Sequence, residues 1–504
     1  FYKGVVQAME RMIRIHTAAA RGRHRIHRWA HARSVSGLAV WAAQVSPRDE
    51  SGRNVFKNPR PRALKDTLAE VQKDDEGLLS VLSECCDRMD TCKLHVRALL
   101  PEKGRRERIL EAGRTGRKKG SLGGLLLGVK DIIALEGFPT VCGSSLPPEA
   151  FNEVFKLETE ASVVQKLTDA GMIIAGRTVT AEFANCDPGA TANPWNIAHT
   201  PGGSSSGSAA AVATGEVHVA IGSQTQGSVN RPAAFCGVCG FKPSYGRVPT
   251  DGVAIYSPSA DTLGFFTPDA AGMSLVAAVA VEDWDNRPFL SAIYGRPPVL
   301  GVPQGAYLER FDPISLEAFN KALEEFASLG VTVKQVPGVL DDVEAVVARH
   351  RAMTRSEWAH SMYEIWTTYA PLFRAKSAME MTLGLEVPEA EAEAGRAGRV
   401  RLRSQLEDAM NEHEIDLWVM PGTSQGPAPV GLDGTGDPYG QVPWTHAGVP
   451  VFTLPSGTSD NSTPPLPFGL QFAAGYGDDE ALLGWCSRLE QLLSEPSPDA
   501  NSSS

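Results

Sequence analysis

The sequence predicts an α/β protein that forms a single large domain, in which a β-sheet is covered by helices on both faces. Two observations support this prediction. Short apolar segments typical of buried strands alternate with segments of helical spacing along most of the chain. The glycine-rich stretches lie inside this alternation and do not divide it, which favours one domain over several.

The first elements surround a lysine. Residues 64–99 carry apolar side chains near helical spacing and are predicted to be helical. The basic segment 103–119 that follows is predicted to be a loop. The apolar run 125–135 is then predicted to be a buried strand that carries Lys130.

A strand follows a helix three more times along the chain. The predicted helices are 161–170, 206–214 and 316–329, and the strands after them are 172–175, 217–221 and 331–336. Gly171 and Gly215 end the first two helices, as glycine commonly does. The second helix consists of small residues and is therefore expected to pack closely. A further strand is predicted at 299–302.

The C-terminal part is predominantly helical. Residues 341–414 are charged and predicted to be helical, and the remaining elements are a strand at 415–420, a long Gly/Pro loop at 421–442 and a closing helix at 481–493. We divide the chain into a basic extension and linker (1–60), a catalytic domain (61–495) and a disordered tail (496–504).

Composition excludes several classes of function. The 504 residues carry a formal net charge of -11, which argues against nucleic-acid binding because neutralising phosphates requires a basic face. No run of about 18 apolar residues predicts a membrane-spanning helix. We therefore expect a soluble monomer or homodimer whose partner is a small molecule.

The cysteines predict neither a disulfide scaffold nor a metal site. Eight cysteines are too few for such a scaffold in a chain of this length. Cys236 and Cys239 have CxxC spacing, but no second ligand pair accompanies them, so a buried, reduced pair is expected. This usage favours a reducing, cytoplasmic location without a metal or cofactor.

The N-terminal segment 1–35 differs from the rest of the chain. It contains seven arginines and four histidines between residues 11 and 33, with Glu10 as its only acid. This composition resembles a mitochondrial transit peptide, and a solvated extension is the equally favoured alternative. Because the segment lacks apolar periodicity, we expect its deletion to leave catalysis intact.

The most informative stretches are 200–211 and 222–243. A Gly/Ser-rich loop runs into a small-residue helix, where backbone N–H groups stabilise an anion or oxyanion. The segment 203–207 matches the GxSxG pattern, but a proline-containing loop precedes it where a nucleophile elbow needs a strand. No phosphate-binding motif is complete, and a plain flexible linker is the remaining simple interpretation.

Taken together, the motifs resemble the amidase-signature family over roughly residues 60–495. The matching segments follow one another in the family's order: Gly128-Val-Lys-Asp-Ile132, Thr180-Ala-Glu-Phe-Ala184, Asn193-Pro-Trp-Asn196, 200–207, 222–243, Gly448-Val-Pro450 and Leu466-Pro-Phe-Gly-Leu-Gln471. The resemblance implies the amidase-signature fold, a mixed, twisted sheet covered by helices on both faces.

The resemblance also implies roles for individual residues. Ser228 corresponds to the nucleophile that is acylated, Ser204 to a bridging serine preceded by a cis peptide bond, and Lys130 to the general base. The oxyanion hole corresponds to the backbone N–H groups of Thr225, Gln226, Gly227 and Ser228. We assign supporting roles to Gly203, Ser205 and Arg231, whose guanidinium is expected to hold loop carbonyls.

The implied chemistry explains why a buried lysine is needed. A free lysine has a pKa of about 10.4 and acts as a base only when it is desolvated or held beside hydrogen-bond donors. The apolar strand around Lys130 provides such surroundings. Neutral Lys130 would take the Ser204 proton while Ser204 takes that of Ser228, and the relay would then reverse to protonate the leaving amine.

Three positions depart from the family pattern. Gln226 stands where a glycine is common, Gln224 where an aspartate is frequent, and Asn230 where an apolar residue or arginine is usual. These departures affect the expected loop geometry and substrate choice, not the reaction class.

We therefore predict a hydrolase of linear amides. The first alternative is a carbamate (urethane) hydrolase with the same triad. A non-hydrolytic protein like the amidase-type component of an amidotransferase, which needs partner subunits, and a degenerate binding protein are the others. The substrate itself is not predicted, and the candidate pocket aromatics, each equally compatible with the core, are Phe151, Tyr256, Trp366, Tyr369, Trp444 and Phe472.

Overall fold

The computed structural model describes residues 61–115, 120–426, 428–429, 431, 433–458 and 465–494. In this part of the chain the strands form one mixed sheet, covered by helices on both faces, as the sequence predicts. The ten strands are β1 (Leu126–Lys130), β2 (Ile173–Thr178), β3 (Val219–Gln224), β4 (Cys239–Lys242), β5 (Thr262–Thr267), β6 (Leu300–Pro303), β7 (Val333–Val336), β8 (Leu417–Pro421), β9 (Val451–Thr458) and β10 (Pro467–Ala473).

Seventeen α-helices occur among the described residues. They are α1 (Leu64–Lys73), α2 (Asp75–Cys92), α3 (Arg105–Arg114), α4 (Pro148–Phe155), α5 (Ser162–Asp169), α6 (Ser206–Ala213), α7 (Asn230–Cys236), α8 (Ala270–Ala280), α9 (Asn286–Tyr294), α10 (Ala306–Glu309), α11 (Pro313–Ser328), α12 (Val343–Ser361), α13 (Tyr363–Tyr369), α14 (Ala375–Leu385), α15 (Glu389–Glu412), α16 (Val442–Ala447) and α17 (Asp479–Ser494).

The sheet is parallel at its two ends and antiparallel in its middle. The strand order is β2-β1-β3-β5-β4-β9-β10-β8-β6-β7. β1 runs parallel to β2 and β3, and β6 runs parallel to β7 and β8. The pairings from β3 through β5, β4, β9 and β10 to β8 are all antiparallel. Because the carboxyl ends of parallel strands lie at one edge, Lys130 at the end of β1 and Ser223 near the end of β3 come together.

Two apolar clusters stabilise this arrangement. The larger one contains buried side chains of β1, β3, β4 and β5 and of the helices packed on them. A smaller one gathers around Tyr307, Trp418 and Trp444. All eight residues of α6 are buried, as its small side chains predict. A Cβ at Gly207 would lie 2.2 Å from the carbonyl oxygen of Ala98, so only glycine allows this packing.

The helix predicted over 64–99 is two helices that end well before 99. Asp74 separates α1 from α2 with an extended backbone, and its carboxylate accepts a hydrogen bond from the N–H of Gly77 at 2.7 Å. A side-chain cap of this kind starts a new helix and interrupts an otherwise continuous apolar pattern.

The prediction of a loop over 103–119 is wrong for Arg105–Arg114, which form α3. The arginines of this helix have partners that the sequence pattern does not show. Arg105 and Arg108 pair with Glu102, and Arg108 also donates to the carbonyl oxygen of Ile174 in β2. These partners offset the repulsion among the basic side chains.

The residue pattern predicts no strands at the positions of β4, β5, β9 and β10. The neighbours that bury each of them are distant in sequence. The predictions for residues 1–60 and 496–504 lie outside the described residues. No helix in the described segments is long and apolar enough to cross a membrane.

Candidate active site

Lys130 is buried and surrounded by hydroxyl groups. Its Nζ lies 2.8 Å from Ser204 Oγ, 3.0 Å from Ser205 Oγ and 2.8 Å from Ser223 Oγ. Burial of the ammonium lowers the pKa of Lys130 to about 7, although the nearby Asp261 carboxylate acts in the opposite direction. A substantial fraction of Lys130 is therefore neutral at neutral pH.

The hydrogen bonds of Ser205 restrict its role. Its hydroxyl lies 3.2 Å from the carbonyl oxygen of Ser223, to which it donates, and it also accepts from the N–H of Ser223 at 3.2 Å. Since a hydroxyl has a single proton, Ser205 faces Lys130 as an acceptor. The lone pair of a neutral Lys130 is then free to accept a proton from Ser204 or Ser223.

A second buried lysine shows why these partners matter. Burial also lowers the pKa of Lys242 to about 7. Its Nζ, however, donates to two carbonyl oxygens, those of Pro243 at 2.8 Å and Val449 at 2.7 Å. Carbonyl oxygens have no proton to give, so Lys242 holds loops together. Lys130, beside hydroxyls, is the lysine that can take a proton.

The loop carrying Ser204 is tied to the segment after Ser228 by Arg231. The peptide bond between Gly203 and Ser204 is cis. Nη2 of Arg231 donates to the carbonyl oxygen of Gly203 at 2.6 Å, and Nε donates to that of Thr435 at 2.7 Å. The guanidinium thus holds two loop carbonyls, which keeps the Ser204 peptide against the start of α7.

In the loop over residues 225–228, the carbonyl oxygens of residues 225, 226 and 227 are anchored by hydrogen bonds. His350 Nε2 lies 2.9 Å from the oxygen of Thr225, Thr445 Oγ1 lies 2.7 Å from that of Gln226, and the N–H of Arg231 lies 3.0 Å from that of Gly227. In a trans peptide the N–H points opposite the carbonyl. Each anchored carbonyl therefore also fixes the direction of the next residue's N–H.

The N–H groups of this loop are free to bind a ligand. Among the described residues, the backbone N–H groups of residues 225–228 have no protein acceptor. Preoriented N–H donors without a protein acceptor are the kind of group that stabilises a developing oxyanion. Ser228 itself is almost fully buried, with 9% of its surface exposed, and reaches the cavity described below.

His350, which binds the carbonyl oxygen of Thr225, is one member of a buried histidine pair. Since a carbonyl oxygen only accepts, Nε2 of His350 carries a proton. Burial lowers the pKa of His350 to about 4 and that of His446 to about 2, so both rings are neutral at neutral pH. Nδ1 of His350 therefore accepts from Nδ1 of His446 at 3.2 Å, which fixes the tautomer of both rings.

The side chain of Gln224 organises the turn that contains Ser228. Its Oε1 accepts from the N–H groups of Val229 at 2.8 Å and Asn230 at 3.0 Å. Its Nε2 donates to Oδ1 of Asn230 at 2.8 Å and to Oγ1 of Thr445 at 2.9 Å. Every hydrogen-bonding capacity of this buried amide is used.

A cavity of about 560 Å³ opens in front of Ser228. Thr225, Gln226 and Arg231 line it on the side of the nucleophile loop. Residues of the Gly/Pro loop, among them Thr435 and Pro438, form another part of the wall, which gives that loop a role in the site. The volume suits a small organic substrate.

Of the aromatic residues considered from the sequence, Tyr256 lines this cavity. The other five belong to apolar clusters or pack against them: Phe151, Trp366, Tyr369, Trp444 and Phe472. All eight cysteines are free thiols, and Cys236 and Cys239 are both buried. The described residues contain no group of three or more His, Cys, Asp or Glu side chains that could hold a metal.

Sequence reasoning missed four residues of this site: Ser223, Asp261, His350 and Thr445. Asp261 accepts from Thr225 Oγ1 at 2.5 Å, and burial raises the pKa of its carboxyl to about 6. His350 and Thr445 belong to helices that follow Ser228 by more than 100 residues. No local motif marks them, because only the packing of α12 and α16 on the loop defines their role.

The chain belongs to the amidase family, whose model, described as Amidase, matches residues 80–483. Among relatives it is similar to a glutamyl-tRNA(Gln) amidotransferase component from Microcystis aeruginosa. The two are 32% identical over 413 residues, which cover 73% of this chain and 84% of the relative.

Solved structures agree with this family. A crystal structure of an amidase matches with a TM-score of 0.73 and 27% identity, and covers 85% of this chain and 99% of that one. A peptide amidase in complex with the competitive inhibitor chymostatin matches with a TM-score of 0.69 and 25% identity, over 86% of this chain and 98% of the other.

Proposed function

We propose that the chain hydrolyses the carbon–nitrogen bond of a linear amide, with Ser228 as nucleophile, Ser204 as bridging residue and Lys130 as general base. The observation that supports this most is the lysine environment. A buried amine whose pKa is lowered to about 7 lies 2.8 Å from the hydroxyl of Ser204. Such an amine is a base at neutral pH and has a proton donor in hydrogen-bonding contact.

The first half of the reaction forms an acyl-enzyme. Neutral Lys130 accepts the proton of Ser204, Ser204 takes that of Ser228, and Ser228 Oγ bonds to the substrate carbonyl carbon. The carbonyl oxygen becomes an oxyanion that the N–H groups of residues 225–228 stabilise. The proton returns through Ser204 to the nitrogen, the carbon–nitrogen bond breaks, and the amine leaves.

The second half releases the acid. Water, giving its proton to the same relay, attacks the acyl carbon, and Ser228 regains a proton as its ester bond breaks. The anchored carbonyls of the 225–228 loop support this scheme, because donors that are oriented in advance need no rearrangement when the charge develops.

A carbamate is the second candidate substrate, and Gln226 is the observation that favours it. Its side chain lines the cavity next to the proposed oxyanion hole, and its backbone φ is not positive, so Gln226 does not adopt the left-handed conformation for which glycine is favoured. An amide side chain there can hydrogen-bond to the extra oxygen that a carbamate carries beside its carbonyl.

The relatives named as amidotransferase components support a third candidate, a role within a complex. In that case the chain would release nitrogen from an amide for use by a partner protein. The same serine chemistry would apply, but activity would depend on the partner. The free thiols favour a location of the protein in a reducing compartment of the cell, either the cytoplasm or the mitochondrial interior.

The test is a single-chain assay. The purified protein and its Ser228→Ala variant are offered matched nitrophenyl-type amides, esters and carbamates, together with glutamine. We expect Ser228-dependent hydrolysis of the amide without any partner, and covalent labelling of Ser228 by a fluorophosphonate. The variant Ser206→Ala, which changes the first residue of α6 close to Ser204 in sequence, is the matched control.

The outcomes separate the candidates. Faster carbamate turnover favours the second candidate. Labelling of Ser228 without turnover of any isolated substrate favours the complex. If the protein shows no labelling of Ser228 and no turnover of any substrate, the proposal is overturned.

A further inference from the structure

The charges around the cavity differ from those of the chain as a whole. Although the protein carries a formal net charge of -11, the charged residues in the described lining are four cations and two acids: Arg231, Arg351, Arg355, Lys376, Glu380 and Asp433. A local excess of positive charge in a concave site raises the local concentration of anionic ligands.

Two of these cations already donate hydrogen bonds to other residues of the protein. Arg355 forms a two-pronged ion pair with Glu380, with distances of 2.5 and 2.7 Å, which neutralises both groups. Lys376 donates to the backbone carbonyl oxygen of Asp433. These contacts fix the wall of the cavity and leave little of the Arg355 charge for a ligand.

Arg351 is different, because its guanidinium is exposed on the cavity wall and has no hydrogen-bond or ion-pair partner in the described parts of the chain. It lies one helical turn before Arg355 on α12, so both side chains are on one face of the helix. The preceding residue, His350, contacts the carbonyl oxygen of Thr225 at 2.9 Å, so this turn of α12 abuts the nucleophile loop.

Arg231 adds a second unused donor. Its side chain is buried, with 4% exposed, and lines the cavity, while its Nη1 has no partner among the described residues. Burial lowers the pKa of Arg231 only to about 10, so the group remains a cation at neutral pH. Arg231 forms no ion pair among the described residues, although the Asp437 carboxylate favours its charge from a distance. A ligand anion would offset the remaining cost of burying this cation.

We propose that the substrate carries a carboxylate that Arg351 binds, with Arg231 contributing its positive charge. This inference rests on the proposed function and specifies its substrate class. A guanidinium offers two parallel N–H groups that match a carboxylate, and the unpaired Arg351 presents them to the cavity. The carboxylate fixes the far end of the substrate while the carbonyl lies against the N–H groups of residues 225–228.

The experiment compares acids with their neutral isosteres. One series carries the carboxylate on the acyl part, such as glutaryl p-nitroanilide against its methyl ester. The other carries it on the leaving amine, as an acylated aminobenzoate against the aminobenzamide. We expect the acid to exceed its neutral partner at least tenfold in kcat/KM in one series. This preference should fall as ionic strength rises.

Variants identify the residue responsible. Arg351→Gln should reduce the acid-to-neutral ratio to within about twofold of one, and Arg351→Glu should invert it. The matched control is Arg401→Gln, which changes an exposed arginine of α15 that does not line the cavity; it should preserve the ratio. Equal rates for acids and isosteres, or an acid preference that persists in Arg351→Gln, overturns the proposal.

A second measurement separates this inference from the proposed function. Fluorophosphonates with a terminal carboxylate or its methyl ester label Ser228 without any amide turnover, and the acid should react faster in the wild-type protein but not in Arg351→Gln. Labelling by both reagents at equal rates contradicts the carboxylate proposal while the nucleophile assignment stands. If neither reagent labels Ser228, both the carboxylate proposal and the nucleophile assignment are contradicted.

Discussion

The side-chain Nε2 of Gln224 lies 2.8 Å from Oδ1 of Asn230, and the two residues are at positions where the chain departs from the family pattern. The side-chain Nδ2 of Asn230 in turn lies 3.1 Å from Thr453 Oγ1. The two departures are therefore directly coupled: the neutral pair of amides braces the turn that carries Ser228.

This coupling predicts a non-additive pair of mutations. Gln224→Met and Asn230→Leu each leave a buried polar partner unsatisfied and should each lower the free energy of unfolding by about 2–3 kcal/mol. The double variant should be about 1 kcal/mol more stable than the sum of the single effects predicts. Urea unfolding of the four proteins measures the cycle, and strict additivity would show that the two amides are independent.

The serine and lysine assignments predict graded losses of activity. Ser228→Ala should abolish turnover, and Ser204→Ala and Lys130→Ala should each cost about three or more orders of magnitude in kcat. Ser223→Ala, which removes another hydroxyl beside Lys130, should cost no more than about tenfold. Combining Ser204→Ala with Lys130→Ala should add little, since they act as one unit. If Ser228→Ala retains more than about a hundredth of wild-type activity, the nucleophile assignment is wrong.

The pKa of Lys130 predicts the pH dependence of the reaction. Lysine acts as a base in its neutral form, and burial lowers the pKa of Lys130 to about 7. The rate should therefore rise as pH increases through about 7 and level off above it, whereas an unperturbed lysine would give a rise near 10. The pH profile of kcat/KM, which reports pKa values of the free enzyme, measures the pH at which the rate rises. A rate that falls across the same range would contradict lysine as the base.

The anchored carbonyls predict a loss of catalytic rate with little loss of binding. His350→Phe and Thr445→Val remove the donors to the carbonyl oxygens of Thr225 and Gln226. The N–H groups they orient act mainly on the transition state, so kcat should fall about 10–100-fold with KM changed less than about threefold.

Conservative replacements provide the control for that prediction. Thr445→Ser keeps the hydroxyl and should retain most of the rate, unlike Thr445→Val. Circular dichroism and thermal unfolding show whether each variant is folded. Equal kcat values for the serine and valine variants would mean that the contact does not position the loop.

Gln226 predicts a change in substrate preference. Its side chain lines the cavity and can contact the group next to the carbonyl. Gln226→Gly should lower the carbamate-to-amide ratio of kcat/KM by roughly tenfold, about 1.4 kcal/mol, while serine labelling continues. An unchanged ratio across several matched carbamate and amide pairs would remove any role of Gln226 in selection.

Local signals were sufficient for the strand that carries Lys130, the small-residue helix α6 and the helix-then-strand alternation at 161–175, 206–221 and 316–336. Each of these is determined by neighbouring residues: an uninterrupted apolar run, a run of small side chains, a glycine at the end of a helix. The segments around Ser204 and Ser228 were likewise found by their residues, because their close backbone packing permits few side chains.

Tertiary structure decided what those signals do not contain. The hydrogen bond from Arg108 of α3 to the carbonyl oxygen of Ile174 in β2 is one example. The antiparallel strands β4, β5, β9 and β10 acquired their burial from one another and from strands far along the chain.

The same division holds within the site. The sequence by itself determined that Lys130, Ser204 and Ser228 are the reactive side chains to consider. Only the fold brought Ser223 to the lysine, His350 and Thr445 to the loop carbonyls, and Arg351 to the cavity wall. The physical reason is that hydrogen bonds and desolvation depend on distance in space, which strand pairing and helix packing set between residues up to about two hundred positions apart.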